Sequence, residues 1–383
     1  MLVLFMLVGS GVGPAGAAAP QWTIFPSPNE GDDENGFADV ARIPGTQRFW
    51  AVGYGTDLFE DTPERTIIAR WNGAAWKRIE SLNVGEQDNR LFGVTARSPS
   101  DAWAVGSRED PGGVSKTLIE HWDGTSWTVV PSPNAGAAGN ANTLRAVKAF
   151  SGADAWAVGE STSNGTLTLH WDGAVWTKVP APDVAGFQCR LNAITGVPGS
   201  GRRFAVGECQ DQAGVERALI ERWNGTAWTI VPAPSEGSSS FLTDITAVSG
   251  HELWAVGATR PEGSVNDLHT LTMRWNGSSW TVIASPSASA PVDRTVLLGV
   301  TTVPGSSTLW TVGYATDLAG GTRPFSEFWD GAGWTVVPTG AGLPGIAESF
   351  SDVAAAGPRD VWAVGGWFDP DVERAFTLVE HYA

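Results

Sequence analysis

Acidic side chains recur at one spacing along this chain, and several of them closely follow an aromatic residue. Seven segments resemble WAVG, and in five of these an aspartate stands five residues after the valine: Asp57, Asp110, Asp211, Asp317 and Asp369. Tyr54, Tyr314 and Trp367 lie just upstream of three of these acids. A carboxylate beside an exposed aromatic ring suits stacking against a sugar or capture of a cation.

This pairing predicts a ligand site of six residues, namely Tyr54, Asp57, Tyr314, Asp317, Trp367 and Asp369. Of the 20 tryptophans, 19 recur at three fixed positions and are expected to pack in the core, whereas Trp367 stands apart from that pattern. A second interpretation stays open, in which each aspartate caps an Asx-type turn and the aromatic residue covers the edge of the core.

The sequence shows no catalytic or metal-binding set. His121, His170 and His381 recur before the same aromatic position and are expected to be structural. His251 and His269 have no cysteine nearby, and the chain contains no H-x-x-x-H or C-x-x-C spacing. A G-x-S-x-G elbow and a P-loop are also lacking. We therefore predict no catalytic residue, no metal and no cofactor.

The elements that carry these residues repeat with a period near fifty. The first position of the WAVG segments falls at Trp50, Trp103, Trp156, Phe204, Trp254, Trp310 and Trp362. Each of the first six segments is followed by an apolar run, a W-[DN]-G-x-x-W phrase and a V-P-x-P tail, with minor variation. Such a unit contains four alternating strands, and its Asn-Gly or Asp-Gly turn is typical of a tight hairpin. Repeats of this length indicate four-stranded blades.

The two ends of the chain complete one another. The seventh unit stops after its third strand, and QWTIFPSP at 21–28 matches the fourth-strand phrase SWTVVPSP at 126–133. The sequence thus predicts an all-β protein with a single domain over residues 20–383. This domain is a seven-bladed β-propeller of four-stranded antiparallel blades, in which the N-terminal strand completes the last blade and removes an open edge.

The repeat resembles the seven-bladed kelch class and the galactose-oxidase central domain over all residues after the leader. The glycine pair that ends a kelch strand appears at Gly365-Gly366. The phrases WAVG and HWDG are more similar to a divergent family of bacterial secreted repeat proteins. The resemblance implies the fold, and a fold does not carry an activity with it.

Two features of the sequence predict that the protein is exported. Residues 1–19 begin MLVLFMLVG and end in small residues, as a signal peptide does. Cys189 and Cys209 flank one predicted hairpin, and an even count in an exported protein predicts a cross-strand disulfide between them. The mature protein is expected outside the cell or in the envelope, as a monomer without membrane insertion.

The net charge restricts the classes of partner that the protein can bind. The chain has 24 Lys and Arg against 41 Asp and Glu, which gives a net charge of −17. That surface repels phosphate backbones, so nucleic acid is not expected as a partner. We expect a non-enzymatic binding or scaffolding module whose loop face meets an extracellular glycan, cation or protein.

Two alternatives remain. One is a carbohydrate-active hydrolase or lyase that uses carboxylates of the loop face, and the other is a structural envelope protein. Asp39, Asp244 and Asp352 share one repeat position where the other units have only Gly or Ala, and these three acids are expected to be structural.

Overall fold

The computed structural model describes residues 19–31, 34–56, 62–163, 165–182, 184–288, 292–340 and 347–383. The predicted signal peptide lies almost wholly outside these residues. The described residues form 28 strands in seven antiparallel sheets of four strands each, and they contain no helix. The prediction of a seven-bladed β-propeller is confirmed.

Each sheet is one blade, and its strands are called A to D in chain order. Blade I contains β2 (Glu34–Ile43), β3 (Arg48–Thr56), β4 (Arg65–Trp71) and β5 (Trp76–Ile79). Blade II contains β6 (Asn89–Ser98), β7 (Asp101–Glu109), β8 (Ser115–Trp122) and β9 (Trp127–Val129). Blade III contains β10 (Asn142–Ser151), β11 (Asp154–Ser161), β12 (Gly165–Trp171) and β13 (Trp176–Lys178). Blade IV contains β14 (Gln188–Gly196), β15 (Arg203–Gln210), β16 (Glu216–Trp223) and β17 (Trp228–Ile230).

The remaining blades follow the same plan until the ring closes. Blade V contains β18 (Ser239–Ser249), β19 (Glu252–Arg260), β20 (His269–Trp275) and β21 (Trp280–Ile283). Blade VI contains β22 (Val292–Thr302), β23 (Leu309–Asp317), β24 (Thr322–Trp329) and β25 (Trp334–Val336). Blade VII contains β26 (Ala347–Gly357), β27 (Asp360–Asp369), β28 (Arg374–Tyr382) and, as its strand D, β1 (Trp22–Ile24).

The C–D hairpins form because the repeated Asp or Asn caps its own turn. In blade II the carboxylate of Asp123 accepts hydrogen bonds from the amides of Thr125 at 2.8 Å and Ser126 at 2.9 Å. Gly124 between them has a φ of 103°, a conformation that glycine adopts without a Cβ penalty. The same capping recurs in five further blades, at Asn72, Asp172, Asn224, Asn276 and Asp330.

The glycine of each WAVG segment is required by the close approach of strand A. A Cβ added at Gly53 would lie 1.9 Å from the carbonyl oxygen of Gly36 in β2, and the equivalent distance is 1.9 to 2.0 Å in every blade. Strand A carries a β-bulge directly beside this contact in all seven blades. Any other residue would push the innermost strand away from its blade.

The recurring tryptophans join each blade to the next one. In blade I, Trp50 lies with its ring centroid 5.1 Å from Trp122 and 5.2 Å from Trp127, both of blade II. The aromatic residue of strand B meets the aromatics of strands C and D of the following blade in the same way around the ring. Their predicted core role is confirmed.

The closure is also confirmed. Strand β1 pairs antiparallel with β28, and Trp22 lies opposite Tyr382. Trp22 is 3% exposed and takes the place of the strand D tryptophan, with its ring centroid 5.5 Å from that of Trp310 in blade VI. Cys189 and Cys209 are direct partners across β14 and β15, and they form the predicted disulfide.

Candidate functional site

The predicted ligand residues lie at one face of the disc, here called the loop face. The B–C and D–A connections meet there, whereas the A–B and C–D turns form the opposite face. Strand A lines the central channel, so its first residues stand at the mouth of the channel on the loop face. The predicted site therefore has to be built from the ends of strands B and the starts of strands A.

The aspartates of the B–C connections hold their own turns. The carboxylate of Asp317 accepts hydrogen bonds from the amides of Ala319 and Gly321, both at 2.9 Å. Asp110, Asp211 and Asp369 accept equivalent bonds from amides two residues further on. Backbone hydrogen bonds from Val114 and from Gly112 hold the pKa of Asp110 below its usual value. The Asx-turn interpretation accounts for these four acids, and Asp57 lies outside the described residues.

Trp367 differs from the two tyrosines in its strand phase. Tyr54 and Tyr314 directly follow the glycine of the repeat, whereas Trp367 stands one residue later, so its side chain is on the opposite side of the blade. Its ring stacks on Phe376 of β28 at 4.7 Å and packs against the apolar cluster between blades VI and VII. By the same alternation Tyr314 faces that interface from blade VI, and burial raises its pKa.

Tyr54 faces blade II at the channel mouth. Its ring centroid is 5.9 Å from that of Phe92 in an edge-to-face arrangement, and the guanidinium of Arg90 lies 5.8 Å from the ring centroid. Arg90 is itself fixed by ion pairs with Glu64 and Asp88. The three blades predicted to be neighbours, VI, VII and I, are thus adjacent, but Tyr54 and Trp367 face different interfaces.

A cavity of about 320 Å³ opens beside Tyr54 and is called the mouth cavity. It spans blades VII, I and II, and its lining includes Phe37, Tyr54, Phe92, Ser349, Ser351 and Glu34. Phe37 is 2% exposed and forms its fixed floor, while Glu34 is exposed at the rim. Among the described residues of the predicted site, Tyr54 lines this cavity.

The bulged residue of strand A stands at the same level in every blade and is different in each. These seven half-buried residues, here called the bulge ring, are Ala38, Phe92, Arg145, Asn192, Thr243, Leu298 and Ser351. A bulge turns its side chain out of the ladder pattern, and bulges of this kind are common next to binding sites. Three members, Ala38, Phe92 and Ser351, line the mouth cavity.

Sequence reasoning missed Phe92 and the bulge ring. Phe92 lies in a run, LFGV, that reads as an ordinary buried strand. The usable signal was that one position beside an otherwise uniform strand A carries seven different residue types. Its register becomes visible only once the bulge is known.

The three channel acids serve as hydrogen-bond acceptors between blades. Asp39 accepts from the amide of Val94 at 2.6 Å, Asp244 from Val300 at 2.7 Å and Asp352 from Val40 at 3.1 Å. Burial is the main cause that raises the pKa of Asp244, to about 7, and that of Asp352 well above its usual value. The described residues contain no group of three or more His, Cys, Asp or Glu side chains placed to hold a metal ion.

Comparisons with known proteins address the fold. No family model matches the chain, and no curated protein matches it. The solved structure of YCF48 bound to D1 peptide is similar, with a TM-score of 0.55 at 14% identity, and covers 97% of each chain. YCF48 from Cyanidioschyzon merolae gives a TM-score of 0.56 at 13% identity over 94% of this chain and 98% of that one. The likeness is one of fold.

Proposed function

We propose that this protein is a non-enzymatic binding module whose ligand is a segment of another protein, held at the loop face by insertion of an apolar side chain into the mouth cavity. The observation that carries this proposal is the bulge ring. The repeats keep their aromatic core positions, the glycine of each WAVG segment and, in six blades, the cap of the C–D turn, yet they place seven different side chains around the channel mouth. A rigid scaffold that varies at one ring of half-buried positions is expected to bind there.

The chemistry of the cavity favours a protein segment over a sugar. Sugar stacking needs an open aromatic face, whereas Arg90 lies over the ring of Tyr54 and Phe92 meets it edge-on. The cavity is lined by the apolar Phe37 and by the polar residues Ser349 and Ser351. A peptide side chain fits an apolar pocket rimmed by a few polar groups.

Two further observations support a basic peptide ligand. Glu34 stands exposed at the rim, and the net charge of −17 attracts cationic segments. The structural neighbour YCF48 was solved with a D1 peptide bound, which shows that a propeller of this shape accommodates a peptide in that protein.

We also propose that the ligand contacts a wider part of the loop face, formed by the six residues predicted from the sequence. Tyr54 belongs to the mouth cavity, and Tyr314 and Trp367 stand on the same face at the interface of blades VI and VII. Asp317 and Asp369 contribute by fixing the turns that frame this face. Asp57 is included from its repeat position alone.

We also infer that the protein works outside the cytoplasm, as a secreted or envelope-associated member of the kelch-like bacterial repeat proteins that it resembles. The disulfide between Cys189 and Cys209 is compatible with an oxidising compartment. No helix in the described part of the chain has the length and hydropathy needed to cross a membrane.

The test is selection of a random dodecapeptide phage library on the immobilised protein, followed by affinity measurement on the selected peptides. Tyr54→Ala and Phe92→Ala should each weaken binding about tenfold or more, the effect of losing an aromatic anchor. Val265→Ala is the control, because Val265 is 82% exposed in the B–C connection of blade V, away from the mouth cavity, and this variant should bind as the parent does.

Two results would overturn the proposal. One is unchanged affinity in folded Tyr54→Ala and Phe92→Ala proteins. The other is a glycan panel that yields ligands while the peptide selection yields none, which would point to the sugar alternative instead.

A further inference from the structure

Four glutamates occupy one repeat position in strand C and are completely buried between blades. They are Glu120, Glu221, Glu327 and Glu380, each 0% exposed. The other three blades have apolar residues at this position, namely Ala69, Leu169 and Met273, also 0% exposed. The acids therefore replace core residues, and at this position four of the seven blade interfaces have a carboxyl group where three have an apolar side chain.

Each carboxyl reaches the preceding blade through one oxygen. Glu120 accepts from the amide of Leu82 at 3.5 Å, and Glu380 from the amide of Gly340 at 3.0 Å. Glu221 is bonded by the hydroxyl of Thr166 at 3.2 Å, and Glu327 by the hydroxyl of Ser285 at 2.8 Å. Thr166 lies in strand C of blade III, whereas Leu82, Ser285 and Gly340 lie in the D–A connections that follow strand D of blades I, V and VI. All four bonds therefore link a strand C to the preceding blade or to the connection that leaves it.

The second oxygen of every one of these groups is buried without a hydrogen-bond partner among the described residues. Within the described segments, no positive side chain acts on any of the four carboxyls. A buried ionised carboxylate without a cation is strongly disfavoured, whereas the neutral acid is tolerated. The geometry thus fits four protonated carboxyls rather than four ion pairs.

The pKa shifts of the four glutamates agree with their being protonated. Burial raises the pKa of Glu120, Glu221 and Glu327 to about 8, and only the hydrogen bond that each accepts opposes it. Burial also raises the pKa of Glu380 to about 7, and the nearby Glu348 of β26 raises it further. Among the described residues, Glu348 is the one charged group that acts on any of the four.

We propose that these four carboxyls make the stability of the blade interfaces depend on protonation. The neutral carboxyls stabilise the closed ring, and their ionisation destabilises it. The affected interfaces are I–II, III–IV, V–VI and VI–VII, whereas the three interfaces with an apolar residue at this position stay unchanged. The ring is then tightest in mildly acidic surroundings and opens more readily as the medium becomes alkaline.

The sign of the effect follows from linkage. A glutamate in the unfolded chain ionises near pH 4.5, whereas the folded group keeps its proton to a higher pH, so its stabilising contribution is complete below that value and is lost as the pH rises toward 8. Between pH 6 and pH 8 each carboxyl with a folded pKa of about 8 should raise the unfolding equilibrium constant about fiftyfold.

The experiment compares urea unfolding of the full chain at pH 6 and pH 8, followed by tryptophan fluorescence. Glu221→Gln and Glu327→Gln keep the shape of the neutral acid and cannot ionise, so each should remove about fiftyfold of the parent's change. Glu262→Gln, at an exposed position, is the control and should keep the parent's change in full. Contributions from all other groups are common to the four proteins and cancel in the comparison.

A second pair of variants guards against misfolding of the glutamine proteins. Glu221→Leu and Glu327→Met copy the residues that the chain itself uses in blades III and V, and both should show the same reduced pH dependence. Parallel pH profiles in the parent and in all folded variants would overturn the proposal, because the carboxyls would then already be ionised or without effect on the ring.

Discussion

Truncating Trp22 to alanine should open the ring at its only junction between the two ends of the described chain. The indole is 3% exposed, donates a hydrogen bond to the Ser326 hydroxyl at 3.1 Å, and has its ring centroid 5.6 Å from that of Tyr382. Removing a buried tryptophan side chain costs about 3–5 kcal/mol, a large part of the roughly 5–15 kcal/mol by which domains are stable. Ser326 also donates to the carbonyl of Val337, so it stays satisfied and adds little to this cost.

The free energy of unfolding is measured by urea titration of the parent, Trp22→Ala and two controls. Ile24→Ala removes a side chain that is 51% exposed on the same strand, and we expect less than about 1 kcal/mol of destabilisation. Trp127→Ala removes the equivalent tryptophan of blade II, whose strand β9 is continuous with the chain on both sides. Its cost should match that of Trp22→Ala, without release of a terminal strand.

Hydrogen exchange separates these two cases. The amide of Phe25 donates to the carbonyl of Val379 at 2.8 Å, and Trp22→Ala should remove its protection selectively. If Trp22→Ala costs no more than Ile24→Ala and leaves the amide of Phe25 protected, strand β1 does not hold blade VII closed.

Two further predictions concern single features of the blades. Reduction of the bond between Cys189 and Cys209, which are 20 residues apart, should cost about 2–4 kcal/mol at most, measured by urea titration with and without reductant; an unchanged midpoint would show that the bridge does not constrain the chain. Trp367→Ala should lower stability by roughly 1–2 kcal/mol through loss of the stack on Phe376, measured by urea titration; an unchanged midpoint would show that this stack does not stabilise blade VII, and weaker binding of the selected peptides by the folded variant would support the wider ligand site.

The architecture could be predicted because the structure of each blade is determined by residues that are close together in the sequence. The C–D turn needs only Asp or Asn before glycine, and the tryptophans recur because every interface is packed alike. Closure followed from the unpaired third strand at one end and QWTIFPSP at the other. The disulfide followed from two cysteines that face each other across one hairpin.

The site was harder to predict because strand phase decides it. Alignment on the downstream aspartate places Trp367 beside Tyr54 and Tyr314, but its position in the strand is one residue later. The bulge interrupts the two-residue alternation in strand A, so the orientation of Phe92 could not be read from the residues around it.

The buried glutamates were hidden for a different reason. Glu120 lies between Ile119 and His121 in a strand that looks half polar, which normally indicates one face toward water. In a ring of blades both faces of strand C are covered by neighbours. Glu120 is buried because the ring is closed, and no local sequence pattern indicates this burial.

Hydrogen–deuterium exchange of the protein with and without a selected peptide tests the binding proposal most directly, because it locates the ligand without altering the chain. Binding at the mouth cavity predicts slower exchange in segments 34–38, 91–93 and 349–351, and unchanged exchange in the C–D turns of the opposite face. Protection confined to those turns, or to blades III to V, would contradict a ligand site beside Tyr54 and Phe92.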